Sequence, residues 1–317
     1  MNVLITGCAG FIGSNLAKSL LDRKHTVVGV DNFLLGKKEN IKSFVENDDF
    51  HFYEQDVNDT DSLCKIIEKH NIEMVYHLAA NSDIQKSAGE PTIDAQMTFG
   101  TTLSVLEAMR RTGAKKLFFS STSAVYGEKT NELLDEKTGE LAPVSYYGAG
   151  KLASEAFISA YSYMNDMSVL VFRFPNVIGP NLTHGVIHDF YKKLKANPKE
   201  LQILGNGTQC KPYIFVDDLV DAIVTRSSEL MKGVSLFVVG VDSATTVTRI
   251  ADIICEEMGL KNVKYNYTGG NVGWKGDVPS FKYSMEKIWS TGWEAKCTSD
   301  EAVRKTIQWV IKNNQER

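Results

Sequence analysis

Tyr147 and Lys151 are four residues apart at the start of a stretch that is predicted to be helical. In a helix, this spacing places both side chains on one face. A lysine ammonium beside a phenol favours the phenolate. A tyrosine that acts as a base near neutral pH needs a pKa about 3 units below its usual value, which is roughly 4 kcal/mol of differential stabilisation. With a second positive charge nearby, this pair could remove a proton from an alcohol.

Three hydroxyl side chains, Ser120, Ser121 and Thr122, close a predicted strand upstream of this pair. In a parallel α/β sheet, ligands bind at the C-terminal ends of the strands. A hydroxyl there can orient a substrate alcohol beside the Tyr147 oxygen. The Tyr-x-x-x-Lys spacing alone occurs in many helices, and serines at strand ends often only cap local structure. The two motifs together predict a site for proton transfer with an alcohol.

Gly7, Gly10 and Gly13 follow the first predicted strand and open a helix. Glycine permits a sharp turn and a close approach of the backbone to phosphate, and a helix N-terminus offers free N–H groups. The spacing is GxxGxxG, which differs from the standard GxGxxG dinucleotide fingerprint. Asp31 ends the second predicted strand, where its carboxylate can accept hydrogen bonds from adenosine ribose hydroxyls and repel a 2′-phosphate. We therefore predict a site for NAD in preference to NADP.

Short apolar runs alternate with amphipathic stretches through the first half of the chain. Runs that are apolar almost throughout suit strands that are buried on both faces of a parallel sheet. The predicted strands are 2–6, 26–30, 50–54, 74–78, 116–120 and 168–173. The predicted helices between them are 13–23, 61–70, 93–112 and 147–163. This alternation predicts a doubly wound, parallel-sheet Rossmann domain of the α/β class.

The pattern loosens after about residue 175, where proline and glycine become frequent. Helices are predicted again over 217–230, 247–258 and 299–313. We expect a smaller C-terminal α/β domain that is partly interleaved with the first and closes over the carboxyl edge of the sheet. The expected boundaries are 1–175 for the Rossmann domain, with segments near 210–245 returning to it, and 176–317 for the second domain.

Composition excludes several classes of protein. The net charge of −4 and the pI near 5.9 provide no basic surplus for nucleic acid or an anionic membrane. Five widely spaced cysteines form no CxxC pair, so we predict neither disulfides nor a metal site and expect a reducing, cytoplasmic environment. The chain contains no run of 18 apolar residues, and its first residues are predicted to be a strand and not a signal peptide.

Taken together, these motifs resemble the extended short-chain dehydrogenase/reductase family and, within it, the UDP-glucose 4-epimerase-like nucleotide-sugar enzymes. The resemblance covers nearly the whole chain. Its marks are the glycine motif at 7–13, Asp31-Asn32, Asp56-Val57, His-Leu-Ala-Ala at 77–80, the segment 120–127, Tyr147 with Lys151, and the segments 173–180, 212–218 and 274–279.

The resemblance implies a role for each of several residues. Tyr147 would be the general base, Lys151 would lower its pKa and hold the nicotinamide ribose, and Thr122 would position the sugar O4. The implied NAD contacts are Gly7, Gly10, Phe11, Ile12, Gly13, Asp31, Asn32, Asp56, Val57, Leu78, Ala79, Ala80, Ser120, Tyr147, Lys151 and Pro175. The implied substrate contacts are Thr122, Asn176, Val186, Leu204, Lys211, Lys275 and Asp277.

By the same resemblance, the chain is an oxidoreductase-type enzyme that acts on a UDP- or GDP-linked sugar with NAD. A 4-epimerase of a nucleotide hexose is the leading expectation. A net 4-dehydrogenase that gives a 4-keto hexose or heptose is the alternative, and a non-catalytic NAD-binding regulator is a third. The resemblance also implies a cytoplasmic homodimer, formed through the helices at 93–112 and 147–163, that serves polysaccharide biosynthesis.

Departures from the family pattern narrow the reaction but not the substrate. The 4,6-dehydratases of the family carry an Asp-Glu pair after the active-site threonine, whereas Thr122 is followed here by Ser123-Ala124. We therefore do not expect this chain to catalyse 4,6-dehydration. Lys211 and Lys275 stand where relatives often carry arginine, and lysine lacks the bidentate fork that arginine offers a phosphate. The nucleotide and the sugar therefore stay open.

Overall fold

The computed structural model describes residues 1–82, 87–129, 132–270 and 282–315. The chain divides into two compact units, and neither is one continuous segment. Unit 1 contains Met1–Gly127, Thr138–Arg173 and Val220–Phe237. Unit 2 contains Glu128–Lys137, Phe174–Leu219 and Val238–Arg317.

A seven-stranded sheet forms the centre of unit 1. Its first five strands along the chain are β1 (Asn2–Thr6), β2 (Thr26–Asp31), β3 (Phe50–Glu54), β4 (Met74–His77) and β5 (Lys116–Thr122). Across the sheet the order is Gly233–Val238, Ser168–Phe174, β5, β4, β1, β2, β3. The ladders that join β3 to β2, β2 to β1, β1 to β4 and β4 to β5 are all parallel. This is the Rossmann strand order, with its switch point between β1 and β4.

The apolar runs of the sequence become strands because both faces of the sheet are covered. Val3, Leu4 and Ile5 in β1 are fully buried, and β4 is buried along its whole length. The structure lengthens β2 and β5 beyond the predicted ends and shortens β4 by one residue. The strand Gly233–Val238 was not predicted, because it lies at the sheet edge and only its last two residues are buried.

Unit 1 contains several helices, some of which begin at a side-chain cap. The principal ones are α1 (Phe11–Asp22), Thr60–Lys69, Thr101–Thr112 and Tyr146–Met164, with Val216–Ser227 partly in unit 2. Asp59 accepts a hydrogen bond from the Ser62 N–H (3.0 Å), and Ser145 accepts one from the Gly148 N–H (3.1 Å). Short helical segments occur at Lys38–Ile41 and Ser123–Tyr126.

The stretch predicted to be helical over 93–112 is helical in the structure, but its first turns are not a regular α-helix. The segment begins as the short helix Thr92–Asp94, widens into a π-helix over Ala95–Gly100 and becomes regular only at Thr101. The Thr101 hydroxyl donates to the Met97 carbonyl (2.9 Å), and the Thr102 hydroxyl donates to the Thr98 carbonyl (2.9 Å). The hydroxyl groups of these two threonines therefore donate hydrogen bonds to backbone carbonyls of the π-helical turn. Such π-helical turns occur frequently at functional sites.

In its described residues, unit 2 combines helices with four two-stranded ladders. Its main helices are Val186–Ala196, Val247–Glu257 and Ser299–Gln315, with a short helix at Glu286–Trp289. The paired strands are Leu133–Leu134 with Lys282–Tyr283, Asn176–Ile178 with Tyr213–Phe215, Glu200–Ile203 with Lys264–Tyr267, and Cys210–Lys211 with Thr245–Thr246. Side chains from all three main helices form its apolar core. In the described part of the chain, none of the helices has the length and apolar character needed to cross a membrane.

Candidate functional site

The glycine turn lies at the carboxyl end of β1, beside the carboxyl end of β4. Gly7 has φ +72°, and a Cβ atom on it would lie 2.8 Å from the backbone nitrogen of Ala79. A Cβ atom on Gly13 would overlap the carbonyl oxygen of Gly7. Gly10 closes the turn with a hydrogen bond from its N–H to the Gly7 carbonyl (3.1 Å). Backbone therefore packs directly on backbone, in a space that no side chain can enter.

The first turn of α1 is free of competing anions. Gly10 caps the helix without a side-chain hydrogen bond, and no acidic residue lies in the first turn, which begins with Phe11 and Ile12. The N–H groups of such a turn lack intrahelical partners and carry the positive end of the helix dipole. The turn is therefore suited to a phosphate group.

Asp31 is fixed at the carboxyl end of β2. Its Oδ2 accepts a hydrogen bond from the Ala9 N–H (3.0 Å), and its Oδ1 accepts one from the Phe33 N–H (2.8 Å). Burial raises the pKa of this carboxyl, while the bonds from Phe33 and Ala9 oppose that rise. A Cβ atom on Gly36 would lie 2.7 Å from Oδ1. The carboxylate is thus clamped between the glycine turn and the turn after β2, which begins with the exposed Asn32.

The other predicted cofactor residues of unit 1 follow neighbouring strands. Asp56 and Val57 come directly after β3, where Asp56 Oδ1 accepts a hydrogen bond from the Asn58 N–H (2.8 Å) and Val57 is buried. Leu78, Ala79 and Ala80 follow β4 and are half-buried. In register, Thr6 pairs with both Val30 and His77, so the ends of β1, β2 and β4 lie at the same edge of the sheet.

The predicted catalytic residues come together at the end of β5. The Lys151 ammonium, which is only 2% exposed, donates to the Ser120 carbonyl oxygen (2.7 Å). Its nitrogen lies 5.8 Å from the centroid of the Tyr147 ring. A hydrogen bond connects Thr122 to Tyr147. The structure thus brings Ser120, Thr122, Tyr147 and Lys151 into one cluster.

The protein by itself makes Tyr147 a weaker acid. Burial raises the pKa of Tyr147, the Asp94 carboxylate raises it further, and the hydrogen bond from Thr122 only partly opposes this. Burial also lowers the pKa of Lys151 to about 7, against the opposing effects of Asp94 and Glu155. The lowered tyrosine pKa that the sequence pattern suggested is therefore not supplied by these protein groups alone.

His77 has a structural role that the sequence pattern did not predict. Its Nδ1 lies 2.7 Å from the Thr6 hydroxyl and its Nε2 lies 3.1 Å from the Thr102 hydroxyl. Because the Thr102 hydroxyl donates its proton to the Thr98 carbonyl, we assign the His77 proton to Nε2. Burial, with a smaller effect of Lys151, lowers the pKa of His77 to about 3, so the ring is neutral. It joins β1 to β4 and to the helix Thr101–Thr112.

Asp94 is the second residue that sequence reasoning missed, and no motif marks it. The residue is only 1% exposed. Its Oδ1 accepts hydrogen bonds from the Thr98 hydroxyl (2.8 Å) and from the Asn81 side-chain amide (3.1 Å). Its Oδ2 is buried and has no hydrogen-bond partner among the described residues.

The remaining predicted contacts belong to unit 2 or lie outside the described residues. Asn176 pairs in register with Tyr213, and Lys211 pairs with Thr245. The other predicted residues in the described part of unit 2 are Pro175, which is buried, Val186, which begins a helix, and Leu204, which is exposed after a strand. Lys275 and Asp277 fall within 271–281, outside the described residues.

The chain belongs to the NAD dependent epimerase/dehydratase family, which it matches over residues 3–240. The predicted family resemblance and the predicted Rossmann-type α/β fold are therefore confirmed. It is 30% identical to the UDP-glucose 4-epimerase of Mycolicibacterium smegmatis over 321 residues, with 99% of this chain and 100% of that protein covered.

Two solved structures are similar over almost their whole length. One is the UDP-glucose 4-epimerase of Thermotoga maritima with UDP-glucose, at 31% identity and a TM-score of 0.88, with 99% of this chain and 100% of that chain covered. The other is the UDP-glucuronic acid 4-epimerase of Bacillus cereus in complex with UDP-glucuronic acid and NAD. It has 26% identity and a TM-score of 0.89, with the same coverage.

Proposed function

We propose that this chain is an NAD-dependent 4-epimerase of a nucleotide-linked hexose. The observation that carries the proposal is the cluster of Thr122, Tyr147 and Lys151 at the end of β5, in the same unit as the glycine turn. Ser123-Ala124 replaces the acid pair that a dehydratase would need. Membership of the family and the similarity to named UDP-sugar 4-epimerases support the same reaction.

The residues at the carboxyl edge of the sheet fit NAD. The glycine turn and the first turn of α1 would hold the pyrophosphate, because they offer backbone N–H groups without a competing side chain. Asp31 would accept hydrogen bonds from the adenosine ribose hydroxyls, and Lys151 would hold the nicotinamide ribose. The oxidised nicotinamide, when bound, accepts the hydride from C4 of the sugar and returns it.

Proton transfer at the sugar O4 is assigned to Tyr147. The phenolate would take the O4 proton as C4 is oxidised, while Thr122 orients the hydroxyl. The resulting 4-keto sugar would turn in the site, and the same phenol would return the proton as the other face of C4 is reduced. Because burial and Asp94 raise the pKa of Tyr147, we expect ionisation to require the charges of Lys151 and the oxidised cofactor together.

The second unit is assigned to the nucleotide sugar, and unit 1 to NAD. Asn176, Val186, Leu204 and Lys211, with Lys275 and Asp277, would contact a UDP- or GDP-linked sugar. We favour UDP because the similar proteins described above are named for UDP-sugars. Lys211 would bind a phosphate as a point charge and not as a bidentate fork.

We also propose a homodimer that acts in the cytoplasm, in polysaccharide biosynthesis. The exposed Phe157 on helix Tyr146–Met164 contacts Phe99 with ring centroids 5.0 Å apart, which provides an apolar area on the helices expected to pair. All five cysteines are free thiols, as a reducing compartment would keep them. Sedimentation equilibrium of the purified chain tests the dimer.

The deciding experiment supplies the protein and catalytic NAD with UDP-glucose, UDP-galactose, UDP-N-acetylglucosamine, UDP-glucuronate or GDP-mannose. We expect a mixture of C4 epimers from at least one UDP-sugar, measured by proton NMR, without net NADH. Accumulation of NADH with a 4-keto product would establish the 4-dehydrogenase instead. Absence of turnover with every donor would contradict both reactions.

A further inference from the structure

The helix Tyr146–Met164 contains a second buried charged group, Glu155, one turn beyond Lys151. The Glu155 side chain is 12% exposed, and its Oε1 accepts a hydrogen bond from the Ser121 hydroxyl. Ser121 lies near the carboxyl end of β5. Glu155 therefore connects the helix of the catalytic pair directly to the strand beside it.

This connection lies between the two contacts that the catalytic pair makes with β5. Ser121 is fully buried and stands between Ser120 and Thr122 in the strand. The Lys151 ammonium donates to the Ser120 carbonyl oxygen (2.7 Å), and Thr122 is hydrogen-bonded to Tyr147. A movement of Ser121 relative to the helix would therefore change both contacts.

Arg173 fixes the orientation of the Glu155 carboxylate. It belongs to the strand Ser168–Phe174, next to β5 in the sheet, and its side chain is 5% exposed. Its Nε donates to Glu155 Oε1 (3.0 Å), and its Nη2 donates to Oε2 (2.6 Å). Its guanidinium carbon lies 5.0 Å from the centroid of the Tyr126 ring, one turn after Thr122. The Glu155–Arg173 pair thus contacts the chain both before and after Thr122.

Stability alone is a weak reason for this buried ion pair. Taking two charges out of water is costly, and apolar residues of similar volume often replace such a pair without loss of stability. The ion pair supplies a fixed direction, which apolar residues do not, because the guanidinium fork holds both carboxylate oxygens in one geometry. Oε1 is thereby aimed at the Ser121 hydroxyl.

We propose that Glu155 and Arg173 are positioning residues that hold Thr122 in hydrogen-bonding reach of Tyr147. In this role they act through Ser121 and the turn after Thr122, and need no contact with the sugar or NAD. A misplacement of about 1 Å in an active site can lower a rate by about 10²-fold. The consequence for turnover rests on the proposed function, whereas the positioning itself does not.

The first test is Ser121→Ala, which removes the bond to Glu155 and leaves both charges of the ion pair in place. It therefore separates positioning from any effect of the Glu155 charge on Lys151. Crystal structures of the free variant and the unmodified protein are superposed on the helix. We expect the Thr122 Cα atom to move by about 0.5 Å or more, or to occupy two positions. With an active protein, kcat should fall by about 10-fold to 10²-fold while KM changes little.

The second test removes the ion pair as a whole, in the double variant Glu155→Leu with Arg173→Met. Neither charge is left buried without its partner, so we expect the free energy of unfolding, measured with urea, to be largely kept. The displacement of Thr122 and the loss in kcat should be at least as large as in Ser121→Ala. A purely structural role for the pair predicts instead that the folded variant keeps the kcat of the unmodified protein.

Ser154→Ala is the matched control on the same helix. Ser154 is adjacent to Glu155 and fully buried, and its hydroxyl lies 3.1 Å from that of Thr102, away from β5. This variant should leave both the position of Thr122 and kcat unchanged. Equal changes in Ser154→Ala and Ser121→Ala would overturn the positioning role.

The outcomes separate this proposal from the proposed function. An unmoved Thr122 in both test variants, or full kcat in the double variant, would overturn the positioning role and leave the epimerase assignment standing. If the unmodified protein turns over none of the nucleotide sugars, the proposed function fails. The crystal structures of the free proteins then still decide whether Glu155 and Arg173 position Thr122.

Discussion

The glycine turn and the helix Tyr146–Met164 lie in the same unit but are built on opposite principles. The turn offers an anion only backbone N–H groups, and Gly7 and Gly13 are required because other backbone occupies the place of a Cβ atom. The helix instead places a lysine and a phenol in a buried setting, where burial first and nearby carboxylates second shift their pKa values. The turn therefore depends on the absence of side chains at its glycines, and the helix depends on the ionisation of its lysine and tyrosine.

The largest expected effect is a loss of turnover. It concerns the helix Tyr146–Met164, where the Tyr147 hydroxyl is proposed to transfer the proton. Tyr147→Phe should lower turnover by about 10²–10⁴-fold, because it removes the general base and keeps the ring. NAD affinity, measured by calorimetry, should change far less. Tyr146→Phe is the matched control, since Tyr146 is adjacent and half exposed, and it should keep full activity. Substantial turnover by Tyr147→Phe would remove Tyr147 from the mechanism.

The complementary change tests the claim that the turn depends on space. Gly13→Ala adds one methyl group against the Gly7 carbonyl oxygen, so the backbone must shift. We expect a loss of about 2–4 kcal/mol in the free energy of unfolding and at least about tenfold weaker NAD binding. The loss should be similar at pH 6 and pH 9, as no ionisable group changes.

Gly139→Ala serves as the control for this effect, because a Cβ atom there meets nothing within 4 Å. Urea unfolding and NAD calorimetry on both variants make the comparison. Equal stability and NAD affinity in the Gly13 and Gly139 variants would show that the turn can accommodate a side chain.

The smallest expected effect concerns Asp31. Its carboxylate is a charged group and is also bonded to the glycine turn through the Ala9 N–H. The unmodified protein should prefer NAD over NADP by at least about tenfold, since a 2′-phosphate would face a carboxylate. Asp31→Asn should narrow that gap by removing the charge. Asp31→Ala should also weaken NAD binding, because it frees the N–H groups of Ala9 and Phe33. Equal or tighter NADP binding by the unmodified protein, measured by fluorescence titration, would overturn the role of Asp31.

Much of unit 1 could be predicted because its strands, turns and helices depend on residues that are close together in sequence. A short, fully apolar run such as Val3–Ile5 suits a strand that is covered on both faces, and glycines directly after it permit the turn that leads into α1. The four-residue spacing of Tyr147 and Lys151 needs only a helix to place them side by side. The edge strand Gly233–Val238 escaped prediction because exposure on one side removes the apolar signal.

The sequence by itself therefore determined the Rossmann order of elements, the glycine turn and the members of the catalytic pair. Tertiary structure alone decided how the pKa values of that pair are shifted. The neutral state of His77 results from its burial, where its ring contacts Thr6, far away in sequence, and Asp94 is buried with Asn81 bonded to its Oδ1. A pKa reflects desolvation and through-space charge summed over the folded molecule, and residue spacing along a chain does not contain that sum.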